Sequence, residues 1–123
     1  MDNLKENIFS LLKTYLAEKK KISLLRYERE CLSAASPGEN RELQKQLERL
    51  ERKIRRLEHC VEQLPAEQVQ IIQGLYFEGK PQKALVEELH LSESTLLRYR
   101  DKAVGELVEM YLTLQEAGVA LEW

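Results

Sequence analysis

Between Leu43 and Leu64, seven apolar residues (Leu43, Leu47, Leu50, Ile54, Leu57, Val61 and Leu64) recur at alternating intervals of four and three without a polar interruption. This spacing draws a narrow apolar seam along an α-helix, as helices that pack in the manner of coiled coils require. The same alternation runs upstream through Leu4, Ile8, Leu11, Tyr15, Glu18, Ile22, Leu25, Arg29 and Leu32, with two polar members. Between the seams lies Ser33-Ala34-Ala35-Ser36-Pro37-Gly38-Glu39-Asn40, where proline and glycine break helix and Asn40 is available as an N-cap. A short breaker between two long seams favours an antiparallel hairpin of helices 2–33 and 40–63. The alternative is a pair of extended helices that find partners in a second subunit. In the hairpin, facing positions carry numbers that add to about 75, as Leu25 and Leu50 do. Cys31 and Cys60 are far out of that register, so no intramolecular disulfide is expected between them.

Charges on these helices are mixed. Glu48 with Arg52 and Glu51 with Arg55 stand four apart in the favourable order. Arg52, Lys53, Arg55 and Arg56, together with Lys19-Lys20-Lys21, read either as a solvated face or as a cationic surface for a DNA backbone or an acidic partner. With 123 residues, the chain is one domain or a small domain with an appendage. Its hydrophobic content of 43% against 33% charged suits a helical protein with many solvated faces. No apolar run approaches the roughly 20 residues that span a bilayer. The first residues carry acids rather than a signal-peptide core, so a cytoplasmic protein without a membrane partner is expected. Two cysteines and two histidines show no paired ligand spacing, and neither a metal nor another cofactor is expected.

Leu64–Ala103 reads as three short helices ending in a helix-turn-helix. One helix closes on Leu89, and after a short turn Ser92 can cap the next through its hydroxyl. Leu85, Leu89, Leu91, Leu96, Tyr99 and Ala103 are spaced so that two crossed helices share a small core. A unit of this kind presents its second helix to the DNA major groove.

The run Leu64-Pro65-Ala66-Glu67-Gln68-Val69-Gln70-Ile71-Ile72-Gln73-Gly74-Leu75-Tyr76-Phe77-Glu78-Gly79 resembles the opening of region four of bacterial sigma factors. Leu85, Leu89, Leu91-Ser92, Thr95-Leu96 and Lys102-Ala103 are similar to the rest of that module without a gap. With its helical N-terminal part, the chain resembles small phage transcriptional regulators of the ArpU/RinA kind. The resemblance implies a DNA-binding transcriptional regulator of phage or prophage origin, with contact to RNA polymerase near promoters. Departures from the pattern are Val69 and Leu97 where basic residues are usual, Val86 where a small residue is usual, and His90 at a glycine turn position. A left-handed turn at His90 carries strain that glycine would not.

On the reading helix, which starts near Glu93, Leu96, Tyr99, Ala103 and Leu107 share the buried side at about 100° per residue. Ser94, Leu97, Arg98, Asp101 and Gly105 face the other way. Ser94 and Thr95 lie where hydroxyls and backbone N–H groups meet phosphate or base edges. Arg98 suits bidentate guanine recognition, and Leu97 suits contact with a thymine methyl. Gln82 and Lys83 open the preceding helix, where backbone phosphates lie. The DNA-binding set is therefore Gln82, Lys83, Ser92, Ser94, Thr95, Leu97, Arg98 and Lys102. Ser92 and Thr95 have a plain capping role as the alternative, and Lys83 a solvated one.

The division of the chain is expected at 1–63, a helical hairpin, and 64–123, a helix-turn-helix domain with a long last helix. That helix continues through Leu107, Val108, Tyr111, Leu112 and Leu114 until Gly118 can end it. Its extra stripe must pack on the hairpin or on another chain. Residues 64–123 hold five Lys and Arg against ten Asp and Glu, a net −5. Phosphate neutralisation dominates affinity for nucleic acid, so one acidic reader binds weakly. A homodimer on double-stranded DNA answers this, with Val108, Tyr111 and Leu112 as the favoured contact. The competing reading is a sigma-like adaptor that binds RNA polymerase or another protein without reading DNA. No phosphate loop and no histidine beside a nucleophile is present, so neither an enzyme nor a small-molecule substrate is expected.

Overall fold

The computed structural model describes residues 3–31 and 37–123. Among these the chain is all-helical, with no strand. Five α-helices follow one another: α1 (Leu4–Cys31), α2 (Pro37–Glu62), α3 (Ala66–Ile72), α4 (Gln82–Leu89) and α5 (Glu93–Glu116). A π-helical turn, Gln73–Phe77, continues α3. Leu32 of the first seam and Ser33–Ser36 of the expected breaker lie outside the described residues.

The second helix begins earlier than its sequence suggests. Pro37, Gly38, Glu39 and Asn40 are helical, so Asn40 is not the cap. Proline has no N–H to leave unsatisfied, and its fixed φ already suits a first helical turn. Pro37 starts the helix rather than holding it off.

Polar contacts set the direction of α1 against α2. Tyr15 Oη donates to Glu58 Oε2 at 2.6 Å, Lys53 lies 3.6 Å from Glu18, and Arg26 Nε donates to Glu51 Oε1 at 3.0 Å. Arg29 Nη1 donates to Gln44 Oε1 at 3.0 Å. Numbers climb along α1 as they fall along α2, so the two helices run side by side in opposite directions. The polar seam members Glu18 and Arg29 are each met across the pair. Ile8, Leu11, Ile22, Leu47, Ile54, Leu57 and Val61 are buried between the helices and what covers them.

What covers them is α5. Ala103, Val104, Leu107 and Tyr111 are buried in the same core as Leu4, Ile8, Leu12 and Val61. Of the two homes open to the apolar stripe beyond the reading unit, the chain's own α1–α2 pair takes Leu107 and Tyr111. Tyr111 is buried, Val108 half-buried, and Leu112 alone of the three is exposed. The C-terminal tail folds back over this region. The Trp123 ring stacks on Tyr111 with centroids 5.5 Å apart, and Arg52 pairs with Glu122 at 3.0 Å. The reversal rests on Gly118, whose φ of +90° is open only to glycine at low cost. It lets Val119 N–H donate to Leu114 and Gly118 N–H to Gln115, closing the end of α5.

A smaller core of Ile71, Leu85 and Leu96 ties α3, α4 and α5 together. The close approach depends on Gly74, where a Cβ would stand 2.8 Å from Leu85 Cδ1. Within the larger core the Tyr15 ring stacks on Phe77 with centroids 4.0 Å apart. No helix among the described residues is long and apolar enough to cross a membrane.

Candidate nucleic-acid interface

The turn between α4 and α5 is built from three residues. His90 adopts φ 56° and ψ 42°, the left-handed region, among the described residues the one position other than glycine to do so. This conformation lets Leu91 N–H donate back to the Val86 carbonyl at 3.1 Å. Ser92 then caps α5: its Oγ accepts from Thr95 N–H at 3.2 Å and lies 2.8 Å from Thr95 Oγ1. Leu91 packs against the small core beneath the turn. The crossing of the two helices is therefore held by one strained residue, one cap and a cluster of apolar side chains.

The eight residues assigned to DNA fall into two groups. Lys83, Ser94, Arg98 and Lys102 are exposed. Ser94, Arg98 and Lys102 stand four apart and share one face of α5. Arg98 and Lys102 make no ion pair or side-chain hydrogen bond among the described residues. Ser94 Oγ also lies 3.3 Å from Ser92 Oγ, and the other four, Ser92 exposed among them, are engaged within the fold. Gln82 Nε2 donates to Glu93 Oε1 at 2.8 Å, which places the start of α4 beside the start of α5. Ser92 and half-buried Thr95 hold each other in the cap. Leu97 departs from the outward orientation expected of it. It is half-buried against Ile71, Leu85 and Leu96, because it borders the apolar stripe and its isobutyl group gains more from the core than from water.

Arg100, which the sequence reading passed over, shapes the face together with Asp101. Asp101 is an obvious source of phosphate repulsion, but its Oδ1 accepts from Arg100 Nη2 at 3.0 Å and Nε at 3.2 Å. Arg100 in turn sits over the Phe9 ring, 5.5 Å from its centroid. It belongs to an open cavity of about 460 Å³ lined by Glu6, Phe9, Ser10, Lys13, Tyr76 and Arg100. Burial pushes the Tyr76 phenol above its ordinary pKa, partly offset by Arg100. Lys80 is turned away from any ligand: it pairs with Glu88 at 2.8 Å and Glu78 at 3.0 Å. Nothing in the local sequence marks Arg100 apart from Arg98. Only their positions on the helix differ, one beside the α1 contact and the other facing water.

Among the described residues no group of three or more His, Cys, Asp or Glu side chains is placed to hold a metal. No protein family, no curated protein and no solved structure matches this chain.

Proposed function

We propose that this chain is a DNA-binding transcriptional regulator in which α4, the His90 turn and α5 act as a helix-turn-helix, with the α1–α2 pair as its scaffold. The observation that carries the reading is the outward face of α5. Ser94, Arg98 and Lys102 are exposed in line while Leu96, Ala103 and Leu107 anchor the opposite side. A helix held by its back and free at its front suits insertion into the major groove. Arg98 is the guanine reader, Lys102 and Lys83 meet phosphates, and Ser94 lies at the helix start where backbone N–H groups favour anions.

A second reading, a sigma-like adaptor that docks on RNA polymerase or another protein, is favoured by the net −5 of residues 64–123, five basic groups against ten acidic. Fluorescence anisotropy on a selected duplex across a salt series separates the two. The DNA reading expects Arg98→Ala to weaken the selected site by roughly 1–3 kcal/mol and relax one base position. It expects Lys83→Ala and Lys102→Ala to weaken all sequences alike, each lowering the salt slope by about one. Duplex binding that is absent at low salt, or insensitive to salt and to all three substitutions, favours the adaptor.

A further inference from the structure

On α1, the side opposite the buried seam carries large apolar groups that stay mostly exposed among the described residues. Leu24 is 60% exposed and Tyr27 64% exposed. They stand three apart, with exposed Cys31 four further on and exposed Lys20 four before. The order four, three, four is again the spacing of a helix-packing seam, here on the outer face. The charges beside it are Lys21 on one flank and Glu28 seven residues on, both exposed and neither in an ion pair among the described residues.

We propose that this face is a homodimer interface in which α1 packs antiparallel on α1 of a second copy, with the two-fold axis passing between Leu24 and Tyr27. The charge pattern selects both the occupant and the direction. In the antiparallel register Leu24 meets Tyr27 of the partner copy, and Lys21 faces Glu28 of the partner copy twice, once on each side of the axis. A parallel pair places no opposite charge beside Lys21, since the flanking position it would meet is Leu16. The stem of Lys20 covers the Cys31 end of the partner's helix while its ammonium reaches water. A contact of about three helical turns lies in the small class of interfaces, below about 1,200 Å², which are weak and reversible.

The inference stands without the DNA reading. On that reading it has a geometric consequence. The α3–α5 unit packs on α1 near Phe9–Leu16, about 13 residues from the axis, or roughly 20 Å at 1.5 Å per residue. Two units then lie about 40 Å apart along the helices, near the 34–36 Å of one DNA turn.

Sedimentation velocity over a concentration series, without DNA, tests the interface. The unmodified chain is expected to shift from monomer to dimer as concentration rises, whereas Leu24→Asp/Tyr27→Asp stays monomeric with an unchanged helical circular dichroism spectrum. Lys21→Glu should weaken dimerisation, and Lys21→Glu/Glu28→Lys should restore it, because the swap recreates both contacts. For the register, Lys20→Cys in a Cys60→Ala background should cross-link to Cys31 of the partner copy with a short bismaleimide. The two positions are about 16 Å apart within one helix, beyond such a reagent, but adjacent across the axis. A monomer at every concentration, a dimer that survives Leu24→Asp/Tyr27→Asp, or preferential Cys31-to-Cys31 cross-linking would each overturn the proposal.

Discussion

His90→Gly is expected to stabilise this protein, against the general trend that substitutions destabilise. At φ 56° and ψ 42° the His90 Cβ crowds the neighbouring carbonyl, a cost of about 1–2 kcal/mol for an L-residue. The imidazole is exposed and has no hydrogen bond among the described residues to offset that strain. Glycine relieves it but gives up roughly 0.5–1 kcal/mol through its greater freedom when unfolded. The difference is a gain of about 0.5–1 kcal/mol. For 123 residues at about 2.1 cal/mol/K each, the unfolding entropy is on the order of 260 cal/mol/K, so Tm should rise by about 2–4 °C.

Differential scanning calorimetry on the parent, His90→Gly and His90→Ala distinguishes backbone strain from side-chain loss. Alanine keeps the Cβ and so keeps the strain; it should leave Tm unchanged or slightly lower. The return bond from Leu91 N–H to Val86 depends on the backbone and survives in both variants. A glycine variant that melts with or below the alanine variant would show that the turn stores no relievable strain.

Leu96→Ala, which empties the centre of the Ile71–Leu85–Leu96 cluster, should cost about 2–5 kcal/mol in denaturant unfolding. Milder values would mean that the small core collapses to fill the space. Alkylation at pH 8 should label exposed Cys31 and spare Cys60, whose thiol burial pushes up despite nearby Arg56; equal labelling rates would contradict its burial. Tyr15 and Tyr111 both have pKa values raised, foremost by burial, and in Tyr15 also by its hydrogen bond to Glu58. Their neutral forms are favoured in the fold, so stability present below the unfolded pKa of about 10 should fall as pH rises above it. Tyr15→Phe should flatten that alkaline decline, and an unchanged pH profile would remove Tyr15 from it.

The all-helical character is legible because both signals that carry it are local: a four-three alternation, and polar residues that cap and turn. Ser92 caps through its own hydroxyl and His90 takes the turn, and both depend on residues within a few positions. Pro37 shows where local reading stops, because the same residue breaks a helix from within and begins one at its first turn. Leu97 shows a second limit. A helical wheel divides a helix into two faces, but the packing around α5 is not symmetrical. The small core reaches far enough round the helix to take in Leu97 as well as Leu96. The engagement of Gln82 by Glu93 and of Asp101 by Arg100 depends on rotamers and on how α4 crosses α5, which spacing does not encode.

Charge is where sequence and structure differ most in consequence. Of the seven cations that read as a cationic surface (Arg52, Lys53, Arg55, Arg56, Lys19, Lys20 and Lys21), four have a carboxylate within 4.0 Å: Arg52 with Glu122, Lys53 with Glu18, Arg55 with Glu51 and Lys19 with Glu58. The exposed pairs among them add little stability, but all four cancel field. The α1–α2 pair is thereby less able to attract a polyanion than its seven basic groups in residues 34–63 suggest. Among the described residues, cations without an ion pair on the proposed reading face reduce to Arg98, Lys102 and Lys83. Three contacts release few counterions, so one copy should bind duplex weakly at physiological salt. Joining two copies makes the second encounter intramolecular and raises affinity without adding a cation to either chain. On this reasoning Leu24→Asp/Tyr27→Asp, far from the reading helix, should weaken operator binding while leaving the affinity for a single half-site unchanged. Loss of half-site affinity in that variant would mean that the outer face of α1 touches DNA itself.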